Sequence, residues 1–86
     1  MTTIYKYPLE ITDRQTLALP TGYQIALIGL DPNGTPCLWA IVDPARSVAN
    51  ETIHIVGTGN PVPPNVVNRH IGSFVQEPFV WHAFLG

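Results

Sequence analysis

The side chains most often used for nucleophilic and acid–base chemistry are few: the imidazoles His54, His70 and His82, the serines Ser47 and Ser73, and the single thiol Cys37. A reactive thiolate needs nearby positive charge, and Cys37 follows Pro36 in an apolar stretch, so it reads as a buried, inert thiol. Neither serine sits in a strand-to-helix elbow flanked by glycines. Three converging imidazoles can hold zinc, yet no two are at a short ligand spacing and no acidic neighbour orients them. They read as separate histidines hydrogen-bonded at strand edges or at an interface, with no metal and no cofactor. His82 follows Trp81 on the alternate face, so the two are not expected to share a pocket. The carboxylates Glu10, Asp13, Asp31, Asp43, Glu51 and Glu77 fall at strand ends and turns, where Asp closes a turn with its own side chain. No catalytic set emerges, and the chain reads as a non-enzymatic protein.

The most informative local stretch is Val56-Gly57-Thr58-Gly59-Asn60-Pro61. Two glycines around a threonine, directly after a strand, let backbone N–H groups converge on an anion. The stretch lacks the third glycine and following helix of a dinucleotide fingerprint and the lysine of a phosphate loop, so a simple bulge or turn competes with the anion reading. The loop beginning there returns through Asn68, Arg69 and His70, which carry donors suited to phosphate. The candidate ligand-binding set is therefore Gly57, Thr58, Gly59, Asn60, Arg69 and His70, with Arg46 as a further source of charge.

These residues need a scaffold of strands. Val, Ile and Thr supply 24 of 86 residues, and branched side chains suit a pleated surface. Pro8, Pro20, Pro32 and Pro44 fall twelve residues apart, leaving room for a strand and a turn but for no uninterrupted helix of ordinary length. Seven strands are expected, over residues 3–7, 15–19, 23–30, 37–42, 52–56, 70–75 and 79–84. Asp31-Pro32-Asn33-Gly34 is the best hairpin signal. Residues 44–50 read as a loop or one helical turn, and the proline-rich segment 57–68 as irregular. The expectation is a single all-β domain over residues 1–86, a compact antiparallel β-sandwich or small barrel of about seven strands.

Composition points to assembly. The chain is 45% apolar and 12% charged, against a usual charged share of about a quarter. The segment 79–85 is apolar on both faces, and as a terminal strand it needs a cover, so Phe79, Trp81 and Phe84 are the expected contacts of a homo-oligomer. Lys6, Arg14, Arg46 and Arg69 are dispersed and the net charge is −2, which excludes the clustered basic stripe of an extended nucleic-acid binder. No apolar run reaches the length of a membrane span, and a lone cysteine suits the reducing cytoplasm.

Taken together, Ile4-Tyr5-Lys6-Tyr7-Pro8-Leu9, Gly34-Thr35-Pro36-Cys37-Leu38-Trp39-Ala40, Val42-Asp43-Pro44, Val56-Gly57-Thr58-Gly59-Asn60-Pro61, His70-Ile71-Gly72-Ser73-Phe74 and Phe79-Val80-Trp81-His82 resemble a family of short uncharacterised proteins from tailed phages and prophage regions. That resemblance implies expression in a bacterial host cytoplasm or incorporation into a virion, and a setting in which counter-defence proteins are common. The expected function is a homo-oligomeric binder that sequesters a small anionic, nucleotide-like immune signal. The alternative is an interaction protein, either an inhibitor docked on a host defence protein or a minor virion component.

Overall fold

Seven strands and one short 3₁₀ turn form in chain order: β1 Thr3–Pro8, β2 Gln15–Pro20, β3 Gln24–Leu30, β4 Pro36–Val42, β5 Val48–Gly57, the 3₁₀ turn Pro64–Val66, β6 His70–Gln76 and β7 Phe79–Leu85. This is a computed structural model, and it describes residues 1–86. All pairings are antiparallel. The strands make a three-stranded sheet in the order β1-β4-β3 and a four-stranded sheet in the order β2-β5-β7-β6. The sheets stay open, so of the two expected architectures the sandwich is found and the closed barrel is not.

Alternation along the strands builds the core. Leu38, Ala40 and Val42 of β4 and Ile28 of β3 meet Ile53 and Ile55 of β5, Phe74 of β6 and Ala83 of β7 in one buried cluster. The two sheets approach most closely along β3 and β6. A Cβ on Gly72 would lie 2.8 Å from the Ile28 side chain, so only glycine permits that approach. The accessible surface, 5265 Å², is near the roughly 5,000 Å² that size scaling gives for a folded chain of this mass.

Two departures from the sequence reading shape the site. β5 begins at Val48, because residues 48–51 pair with Leu17–Pro20 of β2 in place of the expected loop. And β7 is no edge strand: the β6–β7 hairpin folds back so that β7 lies between β5 and β6. Its outward-facing Phe84 is covered by the chain's own segment between β5 and β6, where Val66 packs on Val56 and Phe84 with Val62 beside them. Phe84 is thus buried within the protomer, not held out as the expected contact with a second copy.

Candidate functional site

The turn after β5 is the pivot of the site. Gly59 has φ +91°, and the Asn60 N–H donates to the Gly57 carbonyl at 3.0 Å, closing a tight turn that needs glycine at its third position. The Thr58 N–H donates to the Val80 carbonyl at 3.2 Å. Two of the N–H groups expected to converge on an anion are therefore engaged within the protein. The turn reading of this stretch prevails over the anion nest.

What the turn does form is a wall. Gly57, Asn60 and Trp81 line two adjoining clefts of about 470 and 460 Å³. The first cleft is completed by Ile11, Thr12 and Asp13 and by Pro61 and Pro63; the second by Thr58, Pro78, Phe79 and Val80. A Cβ at Gly57 would come within 3.0 Å of the Trp81 ring and 3.1 Å of the Asn60 amide nitrogen, so the missing side chain keeps the junction open. The Trp81 ring stacks on Phe79 with centroids 5.3 Å apart, and its indole N–H donates to Gln76 Oε1 at 3.0 Å. That bond and stack hold the indole in one orientation beside the clefts.

A second constellation lies on the outer face of the four-stranded sheet. The β6–β7 register pairs Gln76 with Phe79 and so sets Ser73 opposite His82. Ser73 Oγ is 2.7 Å from His82 Nδ1, and His82 Nε2 is 2.8 Å from Thr58 Oγ1. His70 joins from the same side, with Nε2 2.8 Å from Ser73 Oγ. In a regular strand His70 would share a face with Gly72 and Phe74. The irregularity between His70 and Gly72 inserts one residue against β7 and re-aims His70 toward Ser73.

Donor and acceptor roles in this row follow the imidazole tautomers. With the Thr58 hydroxyl turned to the Val80 carbonyl, 3.4 Å away, His82 carries its proton on Nε2 and donates to Thr58, Ser73 donates to His82 Nδ1, and His70 Nε2–H donates to Ser73. With that hydroxyl turned to His82 Nε2, 2.8 Å away, the same row runs in the reverse sense.

The expected ligand set is divided. Gly57, Thr58 and Asn60 share the clefts, and His70 reaches Thr58 through Ser73 and His82. Arg46 does not take part. It precedes β5 while Gly57 ends it, a separation of about 35 Å along an extended strand. There its Nε donates to Thr21 Oγ1 at 3.4 Å, with the guanidinium beside Gly22. Arg69 lies near the opposite end of β7 from the clefts, its carbonyl accepting from the Leu85 N–H at 2.9 Å. The cationic part of the expected site is therefore absent from the turn. The expected interface trio is divided too: Phe79 is exposed, Trp81 is half-buried at the clefts, and Phe84 is covered.

Burial pushes the Cys37 thiol above its ordinary pKa, with the nearby Asp31 charge adding to the effect, as an inert thiol requires. No group of three or more His, Cys, Asp or Glu side chains is arranged to hold a metal ion. No helix is long and apolar enough to cross a membrane.

A family model, "Domain of unknown function (DUF7352)", matches residues 1–86. The chain belongs to the DUF7352 family. No curated protein and no solved structure matches it.

Sequence reasoning passed over Ser73 and His82 as a pair and assigned Trp81 to an interface. The pairing had a signal: a two-residue turn at Glu77-Pro78 makes partner numbers sum to 155, which sets 73 opposite 82. The re-aiming of His70 had none, since the extra residue shows only in the register.

Proposed function

We propose that this DUF7352 protein is a non-enzymatic binding protein that holds a small nucleotide-like ligand against Trp81 and Asn60, in a homo-oligomer. The observation that carries the reading is the meeting of two clefts of about 470 and 460 Å³ at Gly57, Asn60 and Trp81. Volumes of that order suit small organic molecules, and the lining is mainly apolar with a few polar groups that fix orientation. A planar ring stacked on an aromatic side chain gains about 1–3 kcal/mol, and the Asn60 amide offers both a donor and an acceptor to a heterocycle edge. In the phage setting that the sequence resemblance implies, such a protein sequesters a nucleotide-derived immune signal, a task that needs affinity without turnover.

Support for assembly comes from apolar surface left uncovered. Only 16 of 86 residues are buried, while Ile4, Leu27, Val75 and Phe79 are each more than half exposed. Light scattering is expected to give a mass that is a multiple of the 9.4 kDa protomer.

The test of ligand binding uses Trp81 as its own reporter, in a Trp39→Phe background that leaves one indole. Nucleosides, mononucleotides, cyclic dinucleotides and ADP-ribose are titrated by fluorescence and calorimetry. At least one is expected to change Trp81 emission and release heat, with Asn60→Ala weakening it about tenfold, the equivalent of ~1.4 kcal/mol. Silence across the whole panel would overturn the reading.

A second reading has one observation in its favour. The outer face of the three-stranded sheet presents exposed Ile4 and Leu27 beside half-buried Trp39 and Ile41, with Lys6 its charged residue. An interaction protein that docks on a host defence protein would use this face. Ile4→Lys combined with Leu27→Lys would then abolish capture of that partner and leave nucleotide binding unchanged.

A further inference from the structure

We infer that the row His70–Ser73–His82–Thr58 is a phosphate subsite for the ligand of the proposed cleft, and that it takes up protons when the phosphate arrives. This deepens the proposed function and rests on it for the identity of the rest of the ligand.

In the neutral row every hydroxyl and every inward-facing imidazole nitrogen is engaged, at 2.7 to 2.8 Å between side chains, so the row offers an anion almost nothing. Protonation reverses this. When both imidazoles are protonated, His82 Nδ1–H and His70 Nε2–H both donate to Ser73 Oγ, whichever way the neutral row runs. Ser73 Oγ then has both lone pairs occupied, and its hydroxyl must turn outward to solvent. The charged row thus presents one outward hydroxyl between two imidazolium rings whose centroids are 6.3 Å apart. Two cations at that separation repel, and an anion placed between them converts the repulsion into two charge-assisted contacts. Anion binding and proton uptake are one linked event.

The surroundings leave this exchange to the two histidines. The loop residues 58–68 that cross the same face contain no ionisable side chain, and on β5 the nearest is His54, across Phe84 from His70 in the ladder. Arg69 adjoins His70 in the chain, and Glu77 sits at the hairpin turn. The residues of the row are accessible: Thr58, His70 and Ser73 are exposed and His82 is half-buried. Trp81 and His82 point to opposite faces of the sheet. Those faces communicate where β5 stops at Gly57, and Thr58 lines the second cleft while bonding to His82. A ring held at Trp81 directs its phosphate around Thr58 to Ser73. The row supplies the anion recognition that the sequence reading had assigned to Arg46 and Arg69.

The experiment compares a nucleoside, its monophosphate and inorganic phosphate by calorimetry in buffers of different ionisation enthalpy, which reads protons taken up per ligand bound. The monophosphate is expected to bind at least about tenfold tighter than the nucleoside, with net proton uptake. Ser73→Ala and His82→Gln are each expected to remove most of that excess. His70→Gln with His82→Gln removes the uptake and leaves nucleoside affinity unchanged. Equal binding of nucleoside and monophosphate, an excess without proton uptake, or uptake that survives the double substitution would overturn the inference while the Trp81 reading stands. Uptake on inorganic phosphate with no nucleoside bound supports the subsite and removes the Trp81 reading.

Discussion

Two tight turns, Asp31–Thr35 and Gly57–Asn60, are built from the same backbone elements and do different things. Each follows a strand, and each has a glycine at positive φ, +80° at Gly34 and +91° at Gly59. In the first, the Asp31 carboxylate accepts from the Asn33 and Thr35 N–H groups, both at 2.9 Å, and from Lys6 Nζ at 3.0 Å. Both of its oxygens are therefore engaged within the protein. The second has no such lock: its own backbone bond closes it, and the Asn60 side chain faces the clefts. A turn that joins two strands of one sheet is sealed by a charge, while a turn that opens onto the long loop ties its Thr58 hydroxyl to β7 and leaves the Asn60 amide facing the clefts.

The contrast can be broken most forcefully at the lock. Asp31→Ala leaves two backbone donors and the Lys6 ammonium without their acceptor, and is expected to lower Tm more than any other substitution considered for the two turns. A thermal shift no larger than that of Asn60→Ala would erase the distinction. Acid probes the same lock without mutation. The Thr35 N–H and then the Lys6 contact hold the Asp31 carboxyl below its ordinary value of 3.8. A depressed folded-state value means that the stabilisation is complete above 3.8 and lost as pH falls through the lower value. Tm is therefore expected to fall below about pH 4 in the native chain, and to fall less steeply in Asp31→Asn.

The glycines test what the turns share. Gly34→Ala and Gly59→Ala force an alanine into positive φ, with open space around each Cβ position. Each is expected to cost about 1 kcal/mol in denaturant unfolding. A large inequality between them would mean that the two backbones are less alike than their angles. The smallest effect is expected at Thr58→Val, which removes an exposed hydroxyl from the second turn. Stability should change by no more than about 0.5 kcal/mol, while monophosphate binding weakens. Loss of stability there would make the row a structural brace.

Much of this was legible in the residues. Asp-Pro-Asn-Gly announced the first turn through Pro at its second position and glycine at positive φ, and alternation in residues 37–42 announced β4. Gly57-Thr58-Gly59-Asn60 announced the second turn, but not that Val80 would engage the Thr58 N–H, because that depends on a strand more than twenty residues away. Arg46 and Arg69 were grouped with the turn by residue type, and only the ten-residue length of β5 separates Arg46 from it. The Phe84 expectation failed because the chain's own segment between β5 and β6, through Val66, folds over that side chain.

The glycine contact between β3 and β6 has a consequence for solubility. These are edge strands of their sheets, and they lie against one another without a shared hydrogen-bond ladder. That leaves β1 and β2 as the outer borders, and both end in proline, Pro8 and Pro20, which has no N–H to offer an incoming strand. A side chain at residue 72 would therefore do more than loosen the core. By prising the two inner edges apart, it would expose fresh templates for cross-β growth in a chain with little charge to oppose it.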